Sequence, residues 1–190
     1  MKYALGIALA ASALGLGAGT GAHAATKLLP AQSEIVFVSK QMGVPVEGVF
    51  KKFEASINFD PKKPEGGSVT LAIDTSSASL GIPQTDAELP KPEWFNSARF
   101  PRATFQSSAL KGLGGGRYEI NGKLSIKGSV RDIVVPVSLT QAAGTSLASG
   151  SLVIKRLEFK IGEGDWADVG LVGNDVQVRF KLALSGLGSL

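Results

Sequence analysis

Alternation with period two is the feature that most narrows the fold. In Phe53-Glu54-Ala55-Ser56-Ile57-Asn58-Phe59-Asp60, each apolar residue is followed by a polar one. Successive side chains of an extended strand point to opposite faces, so such a stretch has one dry face and one wet face. Tyr118 to Ile126 repeats the pattern, and Ile133 to Leu139 carries Ile133, Val135, Val137 and Leu139 on one face. The clearest case is Val176, Val178, Phe180, Leu182 and Leu184, interleaved with Gln177, Arg179, Lys181 and Ala183. Glu34 to Lys40, Ser68 to Asp74, Arg102 to Leu110 and Ser151 to Ile161 are further strand candidates. In the last of these the apolar parity changes after Ile154, which predicts a bulge near Lys155. Pro136 cannot donate to a ladder, which predicts an edge or bulge there.

Turn signals separate these runs at Asp60-Pro61 to Gly67, Gly112 to Gly116, Lys127-Gly128 and Ala143-Gly144. No segment sustains a helical period. Gln84 to Asn96 could hold a short helix capped by Asp86, but Pro90 and Pro92 break it. The expectation is a single all-β domain. About eight antiparallel strands, each dry on one face, fit a two-sheet sandwich or a closed barrel. Strand length favours the barrel, because about 10 residues per strand, tilted by about 40°, give a wall some 25 Å tall. Such a barrel holds either packed side chains or one apolar ligand. Pattern alone favours the packed core over the cavity.

The chain of 190 residues has no Cys and a single His, His23. Thiolate chemistry, disulfides and Cys-ligated metals are excluded. His23 lies in a stretch that reads as a secretory signal, Met1 to Ala24, with a charged start at Lys2, an apolar run and the ending Ala22-His23-Ala24. Its Gly-rich second half is too weakly apolar for a transmembrane anchor. Cleavage after Ala24 would leave residues 25–190 as the domain, exported to the periplasm and containing neither His nor Cys. Losing Lys2 from 20 basic residues leaves 19 against 16 acidic ones, a net charge of +3. That small excess points away from nucleic acid, and Lys51-Lys52 and Lys62-Lys63 read as solvated positions.

Without His or Cys, a nucleophile would need Ser with Lys or a carboxylate. Ser39-Lys40 is adjacent and so splits across two faces, and Ser151 with Lys155 is the best same-face pair. Glu163, Asp165 and Asp168 form the densest acidic cluster, in Ile161-Gly162-Glu163-Gly164-Asp165-Trp166-Ala167-Asp168. Their spacing is not that of an EF-hand, and no helix follows to make a phosphate cradle. The aromatics Trp94, Phe95 and Phe100, beside Pro92 and Pro101, could plug a barrel end or line its mouth, and the plug is the default reading.

Val46-Glu47-Gly48-Val49-Phe50-Lys51-Lys52-Phe53, Asn58-Phe59-Asp60-Pro61, Trp94-Phe95 through Phe100-Pro101-Arg102-Ala103-Thr104-Phe105 and Gly122-Lys123-Leu124-Ser125-Ile126-Lys127-Gly128 occur in this order. Together with Ile161 to Trp166 and Asn174-Asp175-Val176-Gln177-Val178, they resemble the YceI-like polyisoprenoid-binding proteins. The resemblance runs from about Ser33 to Leu184, with Leu80 to Glu88 looser in pattern. It implies an extended eight-stranded antiparallel β-barrel, lipocalin-like, with a short helical or irregular segment near one end. It also implies a periplasmic protein holding a polyprenyl or quinone-type chain in an apolar tunnel, for transport, storage or stress protection. No catalytic residues, metal or cofactor carry over, and the expected protein is not an enzyme. The apolar lumen would then be lined by Phe37, Phe53, Ile57, Phe59, Leu71, Ile73, Trp94, Phe95, Phe100, Phe105, Ile120, Leu124, Val135, Val137, Phe159, Trp166, Val178 and Phe180. The expected partners are the isoprenoid lipid or quinone and a membrane that gives or receives it. The oligomeric state stays open, with a homodimer as one option. At about 0.8 kcal/mol per buried CH₂, a chain of some 40 carbons nominally exceeds the practical affinity ceiling near 20 kcal/mol, so ordering and entry costs must absorb much of the gain. Two rivals are an enzyme acting on a lipid head group through Asp74, Asp165 and Asp168 at the barrel mouth, and a structural envelope protein without a ligand.

Overall fold

The computed structural model of the chain describes residues 26–190, and the expected signal Met1 to Ala24 lies outside them. Strand β1 is Lys27–Leu28, β2 Glu34–Gln41, β3 Val44–Phe50, β4 Phe53–Asn58, β5 Ser68–Asp74 and β6 Ala78–Ser79. After a one-turn helix, α1, at Pro83–Asp86 come β7 Arg102–Gly114, β8 Arg117–Ile126, β9 Ser129–Ala142, β10 Thr145–Lys155 and β11 Asp175–Ser185. All the strands belong to one antiparallel sheet in the order β4-β5-β7-β8-β9-β10-β11-β2-β3-β6, with β1 paired to β11.

The edges of this sheet explain its closure. β3 and β4 are consecutive in the chain, separated only by Lys51-Lys52, yet β3 pairs with β2 and β4 pairs with β5. One bent stretch therefore begins on one edge and ends on the other, which curls the sheet into a barrel. Its seam is bridged where the Asp74 N–H donates to the Lys52 carbonyl (3.0 Å) and the Lys51 N–H to the Ser77 carbonyl (3.1 Å). Eleven strands, less the two-residue β1 and β6 and with the bent stretch counted once, reduce to the eight long strands that the alternation predicts.

The pairings set a common direction for the barrel. Gln41, Ile126, Ser129 and Lys155 lie toward one end, and Asn58, Gly114, Ala142 and Ser185 toward the other. β5 runs up from the far end and stops at Asp74, opposite Arg102 at the start of β7, and residues 80–101, which lie between β6 and β7, complete the first end. The far end is covered by the C-terminal segment, where the Gln141 side-chain amide donates to the Gly188 carbonyl at 2.7 Å. There too the Tyr118 hydroxyl donates to the Pro61 carbonyl (3.3 Å), and the Tyr118 ring meets Phe59 edge-on at 5.1 Å.

Two local expectations are corrected. β10 stops at Lys155, and Arg156–Phe159 form a 3₁₀ turn, so the parity change marks the chain leaving the sheet and not a bulge within a strand running to Ile161. Asp86 does not cap the start of a helix but ends α1, where its carboxylate accepts the Ser79 hydroxyl and the Leu80 N–H, each at 2.6 Å. Near Pro136 the edge is real: β9 pairs with β8 from Ser129 to Ser138 but with β10 only from Ser138 onward.

Candidate functional site

The dry faces of the strands do not meet. They enclose a cavity of about 620 Å³ that runs along the barrel, a volume within the range of about 300–1,000 Å³ typical of pockets for single small ligands. Its wall is almost wholly apolar. Phe37, Ile57, Phe59, Leu71, Ile73, Phe105, Ile120, Leu124, Val135, Val137, Val178 and Phe180 all line it, together with Trp94, Phe95 and Trp166 at the first end. The packed-core reading of the alternation therefore gives way to the cavity.

Glycine is the signal that the sequence reading missed. Gly48 lies directly opposite Phe37 across the β2–β3 ladder, and Gly150 directly opposite Phe180 across β10–β11. A Cβ on Gly48 would overlap the Phe37 ring and the Leu80 side chain, and one on Gly150 would overlap Phe180. Each ring lies down on a bare stretch of backbone, so a large aromatic contributes wall area without filling the lumen. Phe105 does the same over Gly122.

Three predicted lumen residues lie elsewhere. Phe53 sits at the bend after Lys51-Lys52 and packs on the Ile35, Leu182 and Leu184 cluster at the seam. Phe100 is turned onto Gly128, with the Arg99 guanidinium 5.3 Å from its ring, because the Thr75 hydroxyl holds its carbonyl at 2.9 Å. Phe159 leaves the sheet with the 3₁₀ turn and is buried against Phe95, Ala103 and Ile126. Missed lining residues include Ile35, Ala55, Val69, Ile133 and Leu139, which share the parity of the predicted residues on their strands, Leu152 and Ile154 on β10, whose parity is opposite to that of the predicted Phe159, and Met42, Gln84, Thr85, Glu88 and Leu171, which come from turns, loops and α1.

The polar lining is unevenly placed. Ser39, Gln41, Gln84, Thr85, Glu88 and Arg156 belong to segments at the first end, Thr104 is the third residue of β7, and Tyr118 lies at the far end with its hydroxyl given to the Pro61 carbonyl. The lining residues that are also exposed are Met42, Gln84, Trp166 and Leu171, all at that same end, which is therefore the mouth.

This geometry has solved counterparts. Burkholderia cenocepacia BcnA superposes with a TM-score of 0.80 at 41% identity, covering 83% of this chain and 99% of its own. A polyisoprenoid-binding domain of Saccharophagus degradans implicated in plant cell wall breakdown superposes with a TM-score of 0.68 at 20% identity, over 86% of this chain and 99% of its own, a likeness of fold. A UPF0312 protein of Azotobacter vinelandii is 33% identical over 88 residues, 46% of each chain, so the matched stretch spans about half the length of that relative. The YceI-like domain matches residues 27–184. The chain belongs to the YceI family.

In this YceI domain the mouth is built by two buried cations. Arg156 is 2% exposed, and its five N–H groups donate to the carbonyls of Gly173 (3.0 Å), Ile161 (2.8 Å), Gly162 (3.1 Å), Trp166 (2.7 Å) and Val172 (2.6 Å). Burial pushes its pKa below the ordinary arginine value. The Lys127 ammonium donates to the carbonyls of Pro92 (2.6 Å) and Lys160 (2.7 Å) and to the Glu163 carboxylate (2.8 Å), tying residues 90–97 to 160–163. Trp94 and Trp166 then meet across these segments with centroids 5.4 Å apart.

The carboxylates suggested for head-group chemistry do not converge on the YceI tunnel. Asp74 caps a 3₁₀ turn, where hydrogen bonds from the Ser76 hydroxyl and N–H outweigh desolvation and hold its pKa below the ordinary aspartate value. Asp168 accepts the Gly170 N–H at 2.7 Å. Asp165 does not line the cavity, whose carboxylate is Glu88, paired with Lys91 at 2.6 Å. Asp86, with its pKa lowered chiefly by the Ser79 hydroxyl, secures α1 at the rim.

Proposed function

We propose that this YceI protein is a periplasmic carrier that holds one isoprenoid chain in the barrel, with the head group at the Met42 and Gln84 end and the tail toward Tyr118 and Leu139. The observation that carries this reading is the distribution of polarity: an apolar lumen along the barrel, with most of the hydrogen-bonding side chains at one mouth and the Tyr118 hydroxyl at the far end already bonded to the Pro61 carbonyl. An apolar chain gains about 0.8 kcal/mol for each CH₂ withdrawn from water, so such a lumen selects for chain length more than for any single contact. The periplasmic setting rests on the signal-like pattern of Met1 to Ala24. The name of the Saccharophagus domain supports an isoprenoid as the chain.

The head group is uncharged. Among the described residues, the cation that lines the tunnel is Arg156, and all its N–H groups are spent on backbone carbonyls. Ser39, Gln41, Gln84 and Thr85 offer neutral donors and acceptors, which suits a quinone or an alcohol better than a diphosphate. Trp94 and Trp166 line the mouth and report on occupancy by their fluorescence. Decylubiquinone titrated into the protein should quench them at least about tenfold more tightly than the same quinone ring without its chain, and more tightly than farnesyl diphosphate. Equal binding of ring and chain-bearing quinone, or binding of neither, would overturn the reading.

A further inference from the structure

The rim of the mouth is apolar where an exposed surface is ordinarily polar. Met42 is 76% exposed and Val44 63%, at the turn between β2 and β3. Trp166, Val169 and Leu171 are exposed on the segment before β11, and Ile82 is exposed just before α1. The β2–β3 turn and the segment before β11 form one connected surface. The Met42 N–H donates to the Leu171 carbonyl (2.9 Å), the Gly173 N–H donates to the Lys40 carbonyl (2.8 Å), and Gln41 bridges Val172, which fastens the turn to the loop. Across the opening, α1 contributes Gln84 to the same cavity that Met42, Trp166 and Leu171 line. The exposed apolar rim is therefore continuous with the dry interior.

Other exposed apolar residues do not share this setting. Val130, Val134 and Val153 stand on the outer wall, and none of them lines the cavity. Scattered surface valines are ordinary, whereas a ring of apolar side chains around the door of an apolar tunnel is a contact surface. Its charges are mixed: Lys40 is on the turn side, with Asp165 and Asp168 on the loop and Lys91 already paired with Glu88. Among the described residues the rim carries no basic cluster to seek anionic lipid, so attachment would come from apolar insertion.

We propose that this rim docks on a lipid bilayer, with Met42, Val44, Ile82, Val169, Leu171 and Trp166 entering the interface, so that the tunnel opens directly into the membrane. A chain held in the lumen then passes to or from the bilayer without crossing water. The purpose of docking rests on the carrier reading, but docking itself is measured without a ligand.

The test is co-flotation of the protein with phosphatidylcholine vesicles, followed by transfer of decylubiquinone from protein to vesicles. Val44 and Val169 are rim residues that do not line the cavity, so the V44D/V169D double variant alters the surface and spares the tunnel. The wild-type protein should float with the vesicles at low and high salt alike, and its transfer rate should rise with vesicle concentration. V44D/V169D should reduce both the floated fraction and the transfer rate at least about tenfold, while Val153→Asp leaves both unchanged. Failure of the wild-type protein to float, unchanged flotation of V44D/V169D, or a transfer rate independent of vesicle concentration overturns docking. Flotation without any binding of decylubiquinone supports docking and removes the carrier reading, so the two failures are distinct.

Discussion

Arg156 shows how one side chain can build an opening. It follows the last residue of β10, turns inward and gathers five carbonyls from residues 161–173, a segment with no strand of its own to satisfy them. Replacing it by an apolar residue strands those acceptors, and each buried unpaired polar group costs about 1–3 kcal/mol. Arg156→Met should therefore lower stability to denaturant by about 3 kcal/mol or more and loosen the Trp166 side of the mouth. Chemical denaturation followed by tryptophan fluorescence measures both effects, and a loss below about 1 kcal/mol would mean that water satisfies these carbonyls instead. Gly162 belongs to the same device, since its φ of +78° and the Arg156 guanidinium beside it leave no room for a side chain.

Among the elements, the Phe37–Gly48 pair links sequence to cavity volume. Gly48→Ala places a methyl group against the Phe37 ring and Leu80, and over-packing of this kind costs about 1–3 kcal/mol. The ring relieves the clash by swinging into the lumen, so this variant should weaken decylubiquinone binding at least about tenfold, whereas Gly66→Ala, with open space around it and no left-handed backbone, should not. Titrations of the two variants side by side decide the matter. The strands themselves were legible because each needs only its own alternation, as in Phe53 to Phe59 and Val176 to Leu184. Loops were less so. Arg156 to Phe159 keeps an apolar parity resembling a strand, and only the acceptors waiting in residues 161–173 explain why it turns away. Phe53, Phe100 and Phe159 carried the right chemistry for a lumen, but a bend, a threonine hydroxyl and that same turn send them elsewhere.

At the scale of the whole molecule, the bent stretch from Val44 to Asn58 closes the sheet and so creates an interior. Alternation predicts a dry face on every strand but not whether the dry faces touch, because separation depends on pairings such as Gly150 with Phe180 that only the register reveals. The mouth was the least legible part of the site. Met42, Gln84 and Leu171 reach it from three segments far apart in the chain, and none belongs to an alternating run. Native mass spectrometry of the protein isolated from its own cell envelope without detergent tests the central claim most directly. The account predicts one bound molecule per chain with the mass of an uncharged isoprenoid lipid. A spectrum showing only the bare chain, or a bound molecule without an isoprenoid tail, would contradict it.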